Sequence, residues 1–169
     1  MQFGLVDRVV ELDSGRRIVA VKCVTMAEEY LAEHFPDFPV LPGVLMLECM
    51  VEAARWLVHE AQDFAHGLVL LESVSGVTYK SFVAPGQSLR VEVTCKELQE
   101  RSSSFAGVGT CGDRGTVRGR FKLRHSRLAH GPGDRWASER RIIDEARRRW
   151  SVMRRLENWV QGEQGSSGQ

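Results

Sequence analysis

Two side chains stand out for the chemistry they could do. His34 sits in a run of prolines and phenylalanines, and Glu48 lies inside the most apolar stretch of the chain. An imidazole titrating near neutral pH can accept a proton, and a carboxyl group with a raised pKa can donate one. Glutamate is rarely buried without a partner, and an unpaired carboxylate in an apolar site is driven towards its protonated form. Pro36, Phe38, Pro39 and Pro42 would stiffen the segment around His34 and keep water away, which favours a neutral imidazole able to act as a base. Between the two lie Gly43 and Val44, where a helix is expected to begin. The first amides of a helix have no partner within it, and its dipole favours negative charge there. Gly43 also has no side chain to hold a ligand off. Each feature has an ordinary reading as well. Glu48 could face water or an arginine, His34 could make one local hydrogen bond, and Gly43 could serve a turn. What carries weight is their coincidence within fifteen residues, 34–48.

These residues need elements to hold them. Residues 8–24 read as a hairpin, with apolar Val9, Val10 and Leu12 before the turn Asp13-Ser14-Gly15 and Ile18, Val19, Val21 and Val24 after it. Residues 26–33 read as one or two helical turns. The proline-rich segment 34–42 can be neither a helix interior nor a central strand, so it is expected as an ordered loop. A helix is expected from Pro42 to Ala61, apolar on almost every face in its first half and hence buried. Strands are expected at 67–74, 76–83, 88–98, 103–112 and 115–124. Leu89, Val91, Val93 and Cys95 alternate there with polar residues at the period of a half-buried strand. A hairpin, one long buried helix and several antiparallel strands make an α+β layout, with the sheet wrapped around the helix. The expected organisation is a domain at 1–125, a linker at 126–136, a basic amphipathic helix at 137–161 and a disordered tail at 162–169.

Composition narrows the function classes. The 169 residues are 43% apolar, ordinary for a globular protein with a core. A net charge of +1 gives no reason to expect a nucleic-acid partner. Residues 1–125 carry a net −2 and residues 126–169 a net +3, so the tail is the basic part. The four cysteines form no C-x-x-C pair and have no histidine at metal-ligand spacing, so neither metal, cofactor nor disulfide framework is expected. The start, MQFGLVDRVVELD, does not read as a signal peptide, and no stretch approaches the roughly 18 apolar residues that span a bilayer. The expected location is cytoplasmic.

The segment HFPDFPVLPGVLMLE resembles the signature HFPxxPxxPGVLxxE of bacterial 3-hydroxyacyl-acyl-carrier-protein dehydratases, with the histidine, the prolines, the Pro-Gly and the glutamate in register. The similarity runs outward over LVDRVVELDSGRRIVAVKCVT and YKSFVAPGQSLRVEV, about residues 3–124 in all. It implies a hotdog fold and dehydration of a 3-hydroxyacyl thioester to the trans-2-enoyl thioester, in fatty-acid or related lipid or polyketide synthesis. His34 would be the base and Glu48 the acid. The amides of Gly43 and Val44 would hold the thioester carbonyl, and Phe38, Tyr79 and Phe82 would line the acyl channel. The partner would be an acidic acyl carrier protein, received by Lys80 and Arg55. The resemblance also implies a homodimer, in some members a trimer of dimers, with the histidine and glutamate of one site drawn from two subunits. Relatives that also isomerise the double bond usually carry aspartate at the position of Glu48, so dehydration alone is expected.

The chain departs from that pattern at three places: Glu52 stands where glutamine is usual, Gln87 where aspartate is usual and Phe82 where proline is usual. Glu52 lies four residues after Glu48, and two carboxylates that close would push one pKa upward. Two other functions share the fold: a hotdog acyl thioesterase and a non-catalytic carrier-binding scaffold. The His34–Glu48 register argues against the first, and the intact His34, Gly43 and Glu48 against the second. The C-terminal helix, with Trp150, Trp159 and seven arginines from Arg140 to Arg155, is expected to pack on its own domain. Docking to a carrier or to a membrane surface are its other readings.

Overall fold

Two short apolar segments on either side of a tight turn start the fold, the second buried almost throughout. Arg8–Asp13 (β1) pairs antiparallel with Arg17–Cys23 (β2). A single helical turn, Tyr30–Glu33 (α1), leads into the proline-rich loop and then into the long helix Gly43–Ala61 (α2). Four strands follow: Leu68–Tyr79 (β3), Ser88–Leu98 (β4), Ser102–Cys111 (β5) and Arg114–Ser126 (β6). They complete one antiparallel sheet in the order β1-β2-β4-β5-β6-β3. The helix Arg135–Gln164 (α3) ends the described chain. This computed structural model describes residues 4–35, 37–127 and 135–164, without the side chains of 33, 135–137 and 155–164. Pro36, residues 128–134 of the expected linker and residues 165–169 of the expected tail lie outside the described residues, as does the side chain of Trp159.

The sheet curls around α2 because α2 is buried on most of its circumference. Met46, Cys49, Met50, Ala53, Ala54 and Leu57 are all buried against Ile18, Leu89, Val91, Phe105 and Phe121 of the strands. The approach is close. A β-carbon on Gly107 of β5 would lie 2.7 Å from the sulfur of Met50, so any larger residue there would make the Met50 side chain move. The helix-on-sheet arrangement is the α+β fold expected from the element order.

The elements differ from expectation in three places. The segments 67–74 and 76–83 are one strand, β3, whose register slips between Ser75 and Thr78; Gly76 there has a φ of +60°. This irregularity lets a single strand follow β6 for most of its length. Residues 26–29 are not helical, and α1 holds only four residues. In the tail, α3 runs on to Gln164, with no proline to stop it, where disorder was expected from 162.

Near the end of α2, His59 stacks on Phe64 with ring centroids 5.3 Å apart. Burial, helped by the charges of His125, Arg55 and His66, depresses its pKa to about 4. An unfolded histidine titrates near 6.5, so the folded state prefers the neutral ring. The stabilisation is complete above about pH 6.5 and is lost as pH falls from there through about 4. His125, also lowered by burial, acts in the same sense. We expect the melting temperature to drop through this window and the drop to shrink in His59→Phe, as followed by circular dichroism. An identical pH profile in the variant would refute the assignment.

Candidate active site

His34 caps the C-terminus of α1 in an extended conformation, half-buried. The next residue, Phe35, has a φ of 52°, in the left-handed region that a bulky residue avoids. Strain of this kind, on the order of 1–3 kcal/mol, clusters at functional sites. The Phe35 ring meets the imidazole edge-on, with centroids 4.6 Å apart. The loop then returns to the body of the fold, where the Leu41 amide donates to the Val83 carbonyl at 2.8 Å and α2 begins.

His34 opens onto a cavity of about 300 Å³, lined also by Gly43, Met46, Tyr79, Lys80 and Phe82. Residues from the loop, the start of α2 and the end of β3 therefore meet at one place. A β-carbon on Gly43 would lie 3.1 Å from the Tyr79 ring, so glycine lets that ring close over the helix start. The first amides to be satisfied there are those of Leu45 and Met46, both donating to the Pro42 carbonyl. Among the described residues, the Gly43 and Val44 amides have no acceptor, as expected of a helix start. Phe38 does not line the cavity, but packs edge-on against Phe82 at 5.8 Å. Phe35, Phe38, Val44, Tyr79 and Phe82 are all exposed, giving the mouth an apolar rim.

Glu48 is not part of this cavity. It lies two residues after Met46, about 160° away around the helix at 3.6 residues per turn. On that flank its Oε1 accepts a hydrogen bond from the Arg55 guanidinium at 2.6 Å, with the carboxylate side chain 36% exposed. The other end of the guanidinium is tied to β3, where Nε donates to the Val69 carbonyl at 3.1 Å. Arg55 was expected to receive a carrier beside Lys80. Its guanidinium is turned onto Glu48, because their seven-residue spacing stacks them two turns apart on one helix face. Beneath Glu48, Cys49 is buried, and burial pushes its thiol well above the usual range, so it is a packing residue and not a nucleophile.

Glu52 also corrects an expectation. Its carboxylate has partners of its own. It is 6% exposed, and its carboxylate accepts from the Leu5 and Val6 amides at 2.6 and 3.0 Å and from Arg149 of α3 at 2.9 Å. Its neighbour is a cation from the far end of the chain. The remaining lining residues, Val40, Leu41, Met46 and Ser81, were not anticipated from the sequence, since nothing in their spacing separates a cavity wall from a core.

A family model described as "FabA-like domain" matches residues 1–117. The chain is 40% identical over 109 residues to the 3-hydroxyacyl-[acyl-carrier-protein] dehydratase FabZ of Solibacter usitatus, covering 64% of this chain and 67% of that one. It is 40% identical over 114 residues to the FabZ dehydratase of Paracidovorax citrulli, covering 66% and 78%. Among solved structures, the dehydratase heterocomplex ApeI:P of Xenorhabdus doucetiae superposes with a TM-score of 0.62 at 20% identity, over 73% of this chain and 84% of the other. A hypothetical thioesterase with coenzyme A from Streptococcus pneumoniae superposes with a TM-score of 0.53 at 12% identity, over 72% and 90%. These two likenesses show the hotdog fold alone. The family match and the two FabZ sequences go further: this chain belongs to the FabA-like family of bacterial 3-hydroxyacyl-[acyl-carrier-protein] dehydratases.

Proposed function

We infer that this protein removes water from a 3-hydroxyacyl thioester carried on acyl carrier protein, yielding the trans-2-enoyl thioester of fatty-acid synthesis. His34 takes the proton from the carbon next to the thioester carbonyl. The Gly43 and Val44 amides hold the carbonyl oxygen on which charge then develops, an interaction whose loss typically costs about 100- to 1000-fold. A carboxyl group gives its proton to the 3-hydroxyl, which leaves as water while the C2–C3 double bond forms. The proton held by His34 then returns to that carboxyl through solvent, and the site is reset.

The observation that carries the reading is the division of the machinery. His34 and Gly43 share a cavity with Tyr79, Lys80 and Phe82, while Glu48 lies on the other flank of the same helix. On this reading, one chain offers the base on one side and the acid on another. Two copies related by a two-fold axis could set the His34 of one against the Glu48 of the other, twice over. The strand β3 supports such a pairing, since it is an edge strand with exposed Leu70, Leu71 and Val74. Lys80 stands at the cavity mouth, and from there exposed Arg118, Arg120, Lys122 and Arg124 run along one face of β6. That basic row suits an acidic carrier. Among the described residues, no helix is long and apolar enough to cross a membrane.

The test is product identity. Purified protein is incubated with 3-hydroxyacyl and with plain acyl thioesters over a series of chain lengths. We expect enoyl absorbance from the first and no free thiol from either. Free thiol without enoyl product would favour a thioesterase, and neither product would favour a scaffold.

A further inference from the structure

Arg55 is the one charged residue that touches Glu48 among the described contacts, and nothing in the family resemblance gives it that task. We propose that Arg55 is a positioning residue, which fixes the carboxyl of Glu48 and directs its free oxygen towards the reacting hydroxyl. This rests on the dehydratase reading given above. Arg55 Nη1 donates to Glu48 Oε1 at 2.6 Å, and among the described residues Oε2 has no hydrogen-bond partner. A guanidinium is donor-only, so it takes up Oε1 as an acceptor and fixes which of the two oxygens faces away from the arginine. Oε2 is thus the oxygen left open to meet the substrate.

The guanidinium is also held at its other end. Arg55 Nε donates to the carbonyl of Val69, a buried residue of β3, so the guanidinium bridges α2 and the sheet. Its side chain is 29% exposed, less than that of the carboxylate it holds. Glu48 is thereby placed relative to the edge strand β3 as well as to its own helix. A carboxyl on a half-exposed helix face would otherwise sample several rotamers. A misplacement of about 1 Å can cost on the order of 100-fold in rate.

The experiment is a double-substitution cycle on the full-length protein with a 3-hydroxyacyl-carrier substrate, comparing Arg55→Met in the native and in the Glu48→Gln background. We expect Arg55→Met to lower kcat about 100-fold with KM nearly unchanged. In the Glu48→Gln background the same change should have no further effect, because Arg55 acts only through that carboxyl. Arg55→Lys keeps a cation but loses the second donor, and should fall between the two. It carries the test if the Met variant does not fold. Equal losses in both backgrounds would overturn the proposal, as would a rise in KM with kcat preserved, which would mark a carrier contact. If the unmodified protein forms no enoyl product at all, it is the dehydratase reading that fails, not the assignment of Arg55 alone.

Discussion

His34→Ala and Glu48→Gln each lower the rate of enoyl formation by about 10²- to 10⁴-fold, the range typical of a lost general base or acid, while the fold is retained. Neither change threatens stability. His34 is half-buried in a loop next to exposed Phe35, and Glu48 lies on a helix face where its only described contact is the ion pair with Arg55. Glutamine keeps the shape and can still accept from Arg55, but has no proton of the right acidity to give. The two losses are not additive if base and acid act in one step. The double variant is expected to be scarcely worse than the weaker single one. Stopped-flow enoyl absorbance reads the rates, and circular dichroism the folds.

The second large effect concerns stability. Arg149→Met should cost about 3–5 kcal/mol, since it strands the buried carboxylate of Glu52 without its cation. Arg149 is set in place by more than charge. Its guanidinium lies over the Trp56 ring at 5.5 Å, and the next residue, Trp150, stacks on the same ring at 5.8 Å. Ala146 and Met153 of α3 are buried within the core. So α3 is a structural part of the domain, although it lies wholly beyond residues 1–117 matched by the family model. A melting temperature lower by on the order of 10 °C is expected for Arg149→Met. Adding Glu52→Gln should recover much of it, because replacing both partners of a buried pair removes the uncompensated charge. A double variant as unstable as the single one would show that packing, not the ion pair, holds the helix.

Much of this was legible in the sequence because local rules fix it. The spacing of Val9, Ile18 and the Leu89–Cys95 alternation marks strands, and the apolar run after Pro42 marks α2. His34, Gly43, Tyr79, Lys80 and Phe82 were named from residue types and family register, and all five line one cavity. What escaped depends on long-range placement. The partner of Glu52 is 97 residues away, on a helix outside the family pattern, and no spacing reveals it. Arg55 was closer to hand: its seven-residue distance from Glu48 already stacks the two on one face. Its second anchor, the Val69 carbonyl, is not legible from spacing, because it belongs to a strand whose packing is set by the whole sheet. Gly76 likewise hid the unity of β3, since a strand that slips register reads as two.

The claim that one site draws its base and acid from two chains is tested most directly by mixing. Inactive His34→Ala protein is unfolded and refolded together with an equal amount of inactive Glu48→Gln protein. Half of the resulting dimers are mixed, and each mixed dimer holds one site with both native groups, so activity should return to about a quarter of the native value. If both groups of a site came from the same chain, every site would keep one lesion, and the mixture would stay as inactive as its components.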